Sequence, residues 1–102
     1  MKHRLLPLSI LALLISFLCS CGKQPTADFT WEPKTPKAGQ EVRFTNLSKD
    51  AKSYSWNFGD MSIGSETNPK HVYKIKGNYI IDLSAEDGIK TDEKTVTINV
   101  TD

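Results

Sequence analysis

"WNFGDMSIGSETNPKHVY", Trp56 to Tyr73, is the stretch whose reading decides the fold of this chain. Aromatic residues close both ends, and Asp60, Glu66, His71, two Asn and two Ser lie between them. That mixture suits an active site, and it equally suits the turn chemistry of a small β domain. The local physics favours turns. Trp56 and Phe58 are two residues apart, so in an extended chain they share one face. Gly59-Asp60 ends that strand, and the Asp60 carboxylate can accept from backbone N–H groups of the following turn. Pro69 disfavours helix at Asn68 and so starts the return. Gly77 permits a positive φ ahead of the next strand.

Working outward, the apolar residues alternate almost everywhere, which is the strand signal. Phe29 and Trp31, Val42 and Phe44, and Tyr54, Trp56 and Phe58 each alternate with polar neighbours. Val72 marks a short fragment. Tyr79, Ile81, Leu83 and Ala85 alternate, with Ile80 breaking the pattern, and Val96, Ile98 and Val100 close the chain. Turn formers separate these runs: two Pro and a Gly in "EPKTPKAG", then Asn68-Pro69, Lys76-Gly77 and Asp87-Gly88. Six or seven short strands with this punctuation predict an all-β sandwich.

The spaced pattern Trp56-Asn57-Phe58-Gly59-Asp60, Asn68-Pro69-x-His71-x-Tyr73 and Gly77-x-Tyr79-x-Ile81-x-Leu83 resembles the PKD domain. That family reads W-D-F-G-D-G, N-P-x-H-x-Y and G-x-Y-x-V-x-L. The resemblance implies an Ig-like β-sandwich of about seven strands over 28–102. It also implies that Trp56, Phe58, Gly59, Asp60, Asn68, Pro69, His71, Tyr73, Gly77 and Tyr79 serve the fold, with His71 donating to a backbone carbonyl. Two positions depart from the pattern. Asn57 stands for the first Asp and removes one carboxylate. Met61 stands for the Gly after Asp60, which implies a turn needing no positive φ there, or an altered loop.

The N-terminal part is of another kind. Lys2, His3 and Arg4 precede an uncharged apolar run, Leu5 to Leu18. This run is short of the roughly 20 residues of a membrane span and fits the core of a cleaved signal peptide. "LCSC", Leu18 to Cys21, is similar to the bacterial lipobox, with Leu18, Ser20 and Cys21 in the required places. That similarity implies cleavage before Cys21 and a lipid on its thiol. The expected organisation is a signal peptide over 1–20, a lipidated Cys and tether over 21–27, and the sandwich over 28–102. Gly22 lacks the Asp that often retains lipoproteins at the inner membrane, so the expected place is the cell envelope, on the outer membrane of a two-membrane host.

Composition excludes several functions. With Cys19 removed and Cys21 acylated, the domain holds no thiol for disulfides, metal or catalysis. From Gly22 onward there are 11 Lys+Arg against 12 Asp+Glu, with the signs interspersed. No basic stripe marks a nucleic-acid surface. His71 is the only His after the signal, too few for a zinc site. Calcium, which takes carboxylate and carbonyl oxygens, is the metal to test, with Asn46, Asp60, Asp82 and Asp87 as candidates. Trp31 and Tyr54 are the candidates for stacking on sugar. The expectation is a non-catalytic envelope lipoprotein with no cofactor, held to the membrane through Cys21 and carrying one module for protein interaction or display. The alternative is a carbohydrate-binding module serving a glycan-degrading system.

Overall fold

The computed structural model describes residues 23–102, so the signal peptide and Cys21 lie outside the described residues. Among the described residues seven strands form two antiparallel sheets. β1 (Phe29–Glu32), β2 (Glu41–Asn46) and β5 (Lys70–Val72) make a three-stranded sheet in the order β1-β2-β5. β3 (Ser53–Asn57), β4 (Ile63–Gly64), β6 (Gly77–Glu86) and β7 (Thr91–Val100) make the other, in the order β4-β3-β6-β7. Among the described residues there is no helix. This is the all-β sandwich that the alternation predicts, in the Ig-like form that the PKD resemblance implies.

The inward face of each strand supplies the core. Phe29, Val42, Phe44, Trp56, Phe58, Tyr73, Ile81, Leu83, Ile98 and Val100 are buried together. Trp56 is its centre, with Phe29 edge-on at 5.0 Å and Phe44 at 5.4 Å between ring centroids. It sits opposite Leu83 on one neighbouring strand and Gly64 on the other. The two sheets thus meet on aromatic rings, each contributing about 1.5–3 kcal/mol when fully buried. Ile80, which breaks the alternation of β6, points outward and is 60% exposed.

β7 is a long edge strand, and unpaired edges invite association. Segments from the other side of the molecule cover its two ends. Ala38 N–H donates to Thr101 O (2.7 Å) and Thr101 N–H to Pro36 O (3.0 Å). At the other end Ala27 N–H donates to Asp92 Oδ2 (2.7 Å). Lys94, in the middle, lies 3.6 Å from Asp28.

Four expectations need correction. The tether does not extend to Ala27: Pro25 and Ala27 are buried, and Thr26 bridges to Lys49. Two apolar groups so close to the sandwich gain more by packing than by staying in water. Phe58 lies beyond the end of β3, although its ring remains in the core. β4 leaves no signal in the sequence, because a two-residue strand containing one apolar residue has no visible period. Met61 does adopt a positive φ, +73°, with its side chain 99% exposed. The turn keeps the shape that Gly would give it, and Met61 bears the strain.

The strand directions give the sandwich two distinct ends. The described chain enters beside the 46–52 loop and the 87–90 turn. The opposite end carries the 58–62 and 73–76 loops and the end of β7.

Candidate functional site

The quoted stretch folds into the second of these ends. Asn57 Oδ1 accepts from Gly59 N–H at 3.0 Å. An acceptor oxygen is all this turn requires, so Asn does the work of Asp there. Gly59 has φ +83°, and a Cβ on it would lie 2.5 Å from the carbonyl oxygen of Ile80. Only Gly permits both the conformation and the approach. Asp60 follows, with Oδ1 accepting from Ser62 N–H at 3.1 Å. Phe58 N–H donates to Ser62 O at 3.0 Å and closes the turn.

His71 Nε2 lies 2.7 Å from Asp60 Oδ2. His71 is on β5, in the other sheet, so this contact ties the two sheets together at this end. The expectation that His71 meets a backbone carbonyl is corrected here: a carboxylate is the stronger acceptor and lies within reach. The imidazole stacks on Phe58 at 4.4 Å and meets Tyr73 edge-on at 4.7 Å. Tyr73 O–H in turn donates to Phe58 O at 2.8 Å. Burial raises the Asp60 pKa, but the hydrogen bonds from His71 and Ser62 outweigh it and hold the carboxyl below its ordinary value. Burial pushes the Tyr73 phenol well above its ordinary range, with the Asp60 charge adding to the effect.

The remaining motif residues join these parts. Trp56 Nε1–H donates to Glu66 O at 2.8 Å, and Asn68 Oδ1 accepts from Asn46 N–H at 2.8 Å. Pro69 is buried, and its carbonyl accepts from Phe44 N–H at 2.9 Å. Gly77 opens β6 opposite Val100. Tyr79 packs on Tyr73 at 4.4 Å and donates to Ile75 O at 2.6 Å.

Around the pair lies a depression of about 360 Å³, lined by Asp60, Ser62, His71, Val72, Lys74, Ile75 and Tyr79. Sequence reading found Asp60, His71 and Tyr79. It missed Ser62, Lys74 and Ile75, which occupy unspecified positions of the motif and are brought in by the turns. Met61, Ile63, Ile75 and Ile80 stand exposed at this end. Ser62 faces the Asp60 carboxylate, so Asp60, His71 and Ser62 do not form a nucleophile and base in series. Glu66 contributes only its carbonyl, to Trp56.

The other candidates are scattered. Asn46 Oδ1 accepts from Ser48 N–H, Asp82 accepts from Thr95 Oγ1–H in mid-sheet, and Asp87 accepts from Ile89 and Lys90 N–H at the entry end. The backbone bonds from Lys90 and Ile89 hold the Asp87 carboxyl below its ordinary value. The structure therefore does not bring the calcium candidates together, and no three His, Cys, Asp or Glu among the described residues gather to hold a metal. Trp31 packs half-buried against the core, with Lys34 Nζ 4.1 Å from its ring and its Nε1–H donating to Lys34 O. Tyr54 is half-buried in the other sheet. The two rings form no common platform.

The sequence profile of the PKD domain matches residues 22–101. The chain belongs to the PKD domain family. Solved relatives agree with this PKD fold. The PKD1 domain of Vibrio anguillarum Epp is 30% identical, with TM-score 0.68, over 78% of this chain and 95% of that one. A structure described as carbohydrate-binding modules of the β-sandwich superfamily is 31% identical, with TM-score 0.73, over 78% of this chain and 35% of that one. Collagenase ColA of Bacillus cereus is 44% identical over 45 residues, which are 44% of this chain and 5% of the collagenase. The chain thus spans a small part of that enzyme, as a PKD module does in a larger protein. The PKD domain itself is a non-catalytic module.

Proposed function

We propose that this protein is a lipid-anchored component of a bacterial cell envelope, held by an acylated Cys21, whose PKD domain binds a protein partner at the end remote from the anchor. One observation carries the reading: the depression beside the Asp60–His71 pair, lined in part by exposed Val72 and Ile75, opens at the end opposite to chain entry, where Met61 and Ile63 also stand exposed. Clustered exposed aliphatic side chains favour an apolar protein surface as the occupant. The whole protein is non-catalytic, and its place is the outer membrane where the host has two. The test pairs Ile63→Asp and Ile75→Asp with cross-linking in the native envelope. Both variants fold and lose the cross-linked partner that wild type shows; retention of the partner by both sinks the reading.

A second reading is supported by the carbohydrate-binding modules among the fold's relatives. In that case the ligand is a polysaccharide. Trp31 and Tyr54 offer it no shared stacking face, so the depression, with Tyr79 and the Asp60 carboxylate, becomes the contact. Binding of a glycan array by the domain, abolished by Tyr79→Ala, would favour this reading.

A further inference from the structure

Ile81, Leu83 and Ala85 are fully buried, so Asn78, Ile80, Asp82, Ser84 and Glu86 of β6 point to the outer side of the larger sheet. By the same alternation, β3 and β7 turn only Ser, Thr and Asn to that side, apart from Glu93. Ile63 of β4 pairs with Asn57 and shares it. The face therefore carries three carboxylates, Asp82, Glu86 and Glu93, and no Lys or Arg. Glu93 is the diagonal neighbour of both Asp82 and Glu86 across β6 and β7, so it repels each of them. Hydroxyl groups meet the three, Thr95 on Asp82, Ser84 on Glu93 and Ser53 on Glu86, and no ion pair among the described residues includes them. The rim does not supply the missing positive charge. Lys52 and Lys90 stand at one end beside Asp87, and Lys76 at the other lies 3.2 Å from Asp102. With both ends included, five acids face three lysines. On the outer edge of β7, Asp92 and Lys94 turn the other way, to Ala27 and Asp28. Beyond β4 the next charged residue is Glu66, another acid.

The same face has an apolar corner. Ile63 is 79% and Ile80 60% exposed. Gly59 lies against the backbone of Ile80 and carries no side chain, so the flank of Ile80 stays open towards the turn that holds the exposed Met61. The outer side of the smaller sheet is different, with Arg43 between Glu32 and Lys70. We propose that the outer face of β4-β3-β6-β7 docks a basic extended segment of a partner protein. An apolar side chain of that segment seats between Ile63 and Ile80 over Gly59, and its Lys or Arg side chains reach Asp82, Glu93 and Glu86. From Ile80 to Glu86 the strand runs about 20 Å, the length of about six extended residues. The inference deepens the proposed function and rests on it only in taking the occupant to be a protein; the contact surface is separate from the depression.

The test uses the full chain in its native envelope, with a photoreactive residue in place of Ile80 or, in a second strain, in place of Ile75 in the depression. Illumination at 80 should capture a protein through a segment that mass spectrometry shows to hold at least two Lys or Arg residues. D82K combined with E93K should lower that yield about tenfold, and the milder pair D82N with E93Q should lower it about threefold. These exposed substitutions leave the core intact, which a wild-type melt of each variant verifies. No capture at 80, capture through a neutral or acidic segment, capture of a second copy of this chain, or a yield indifferent to both charge pairs overturns the proposal. Capture at 75 without capture at 80 removes this inference and keeps the depression as the partner site. Capture at 80 alone, sensitive to charge, supports this face and removes the depression.

Discussion

His71 Nε2 and Asp60 Oδ2 stand 2.7 Å apart across the two sheets, at side-chain exposures of 16% and 24%. Asp60 also receives Ser62 N–H, so one carboxylate both shapes its turn and joins that turn to β5. Asp60→Ala strands both donors and should cost about 1–3 kcal/mol, measured by urea unfolding. An unchanged midpoint would show that neither bond stabilises the fold.

The same carboxylate gives the domain an acid-sensitive contribution. Its folded pKa is lowered, so its stabilisation is present above the unfolded value of about 3.9 and is lost as pH falls through the folded value. Melting of wild type should therefore fall more steeply below about pH 4 than melting of Asp60→Asn, which cannot titrate there. Parallel curves for the two proteins would remove Asp60 from the acid response.

Met61 and Gly59 test the turn from opposite sides. Met61→Gly relieves a positive φ at an exposed site and should raise stability by about 0.5–1 kcal/mol, the relief exceeding the added freedom of the unfolded chain. Gly59→Ala meets both a positive φ and the Ile80 carbonyl, so it should cost more than about 2 kcal/mol. Denaturant melts of the two variants should move in opposite directions. A shift of the same sign in both would refute this account of the turn.

Trp56 and Trp31 separate core from periphery. Trp56 is fully buried and its Nε1–H is paired, so Trp56→Ala should cost about 3–5 kcal/mol. A domain of this size holds only about 4–12 kcal/mol, so that variant should be largely unfolded or close to it. Trp31 is half-buried on an edge strand, and Trp31→Ala should cost about 1–2 kcal/mol. Circular dichroism melts give both values. A folded Trp56→Ala with a wild-type melt would mean that the ring is not the centre of the core.

Addition of calcium should leave the melting temperature unchanged, because Asn46, Asp60, Asp82 and Asp87 are engaged separately by N–H and O–H groups. A rise that saturates with calcium and disappears in Asp87→Asn would reveal a site at the entry-end turn.

Much of the fold was legible because it is local. Alternation at Phe29, Phe44, Trp56, Ile81 and Ile98 assigns each strand its inward face, whatever its neighbours are. Gly59 and Pro69 mark turns through backbone limits that operate before any tertiary contact forms. The spacing from Trp56 to Leu83 was enough to indicate the PKD family. Other features depend on contacts between distant residues. That His71 would meet Asp60 rather than a carbonyl depends on how the 58–62 turn folds over β5. That Met61 would hold a positive φ depends on a turn already closed by Phe58, Ser62 and Gly59. Ser62, Lys74 and Ile75 acquire a common surface only when two loops from different sheets converge. Pro25 and Ala27 read as tether because six polar and small residues carry no period, and only the docked sandwich offers them a surface to bury against. Periodicity and backbone sterics act over a few residues and are written in the chain. The meeting of side chains across two sheets is decided by the packing of the aromatic core between them.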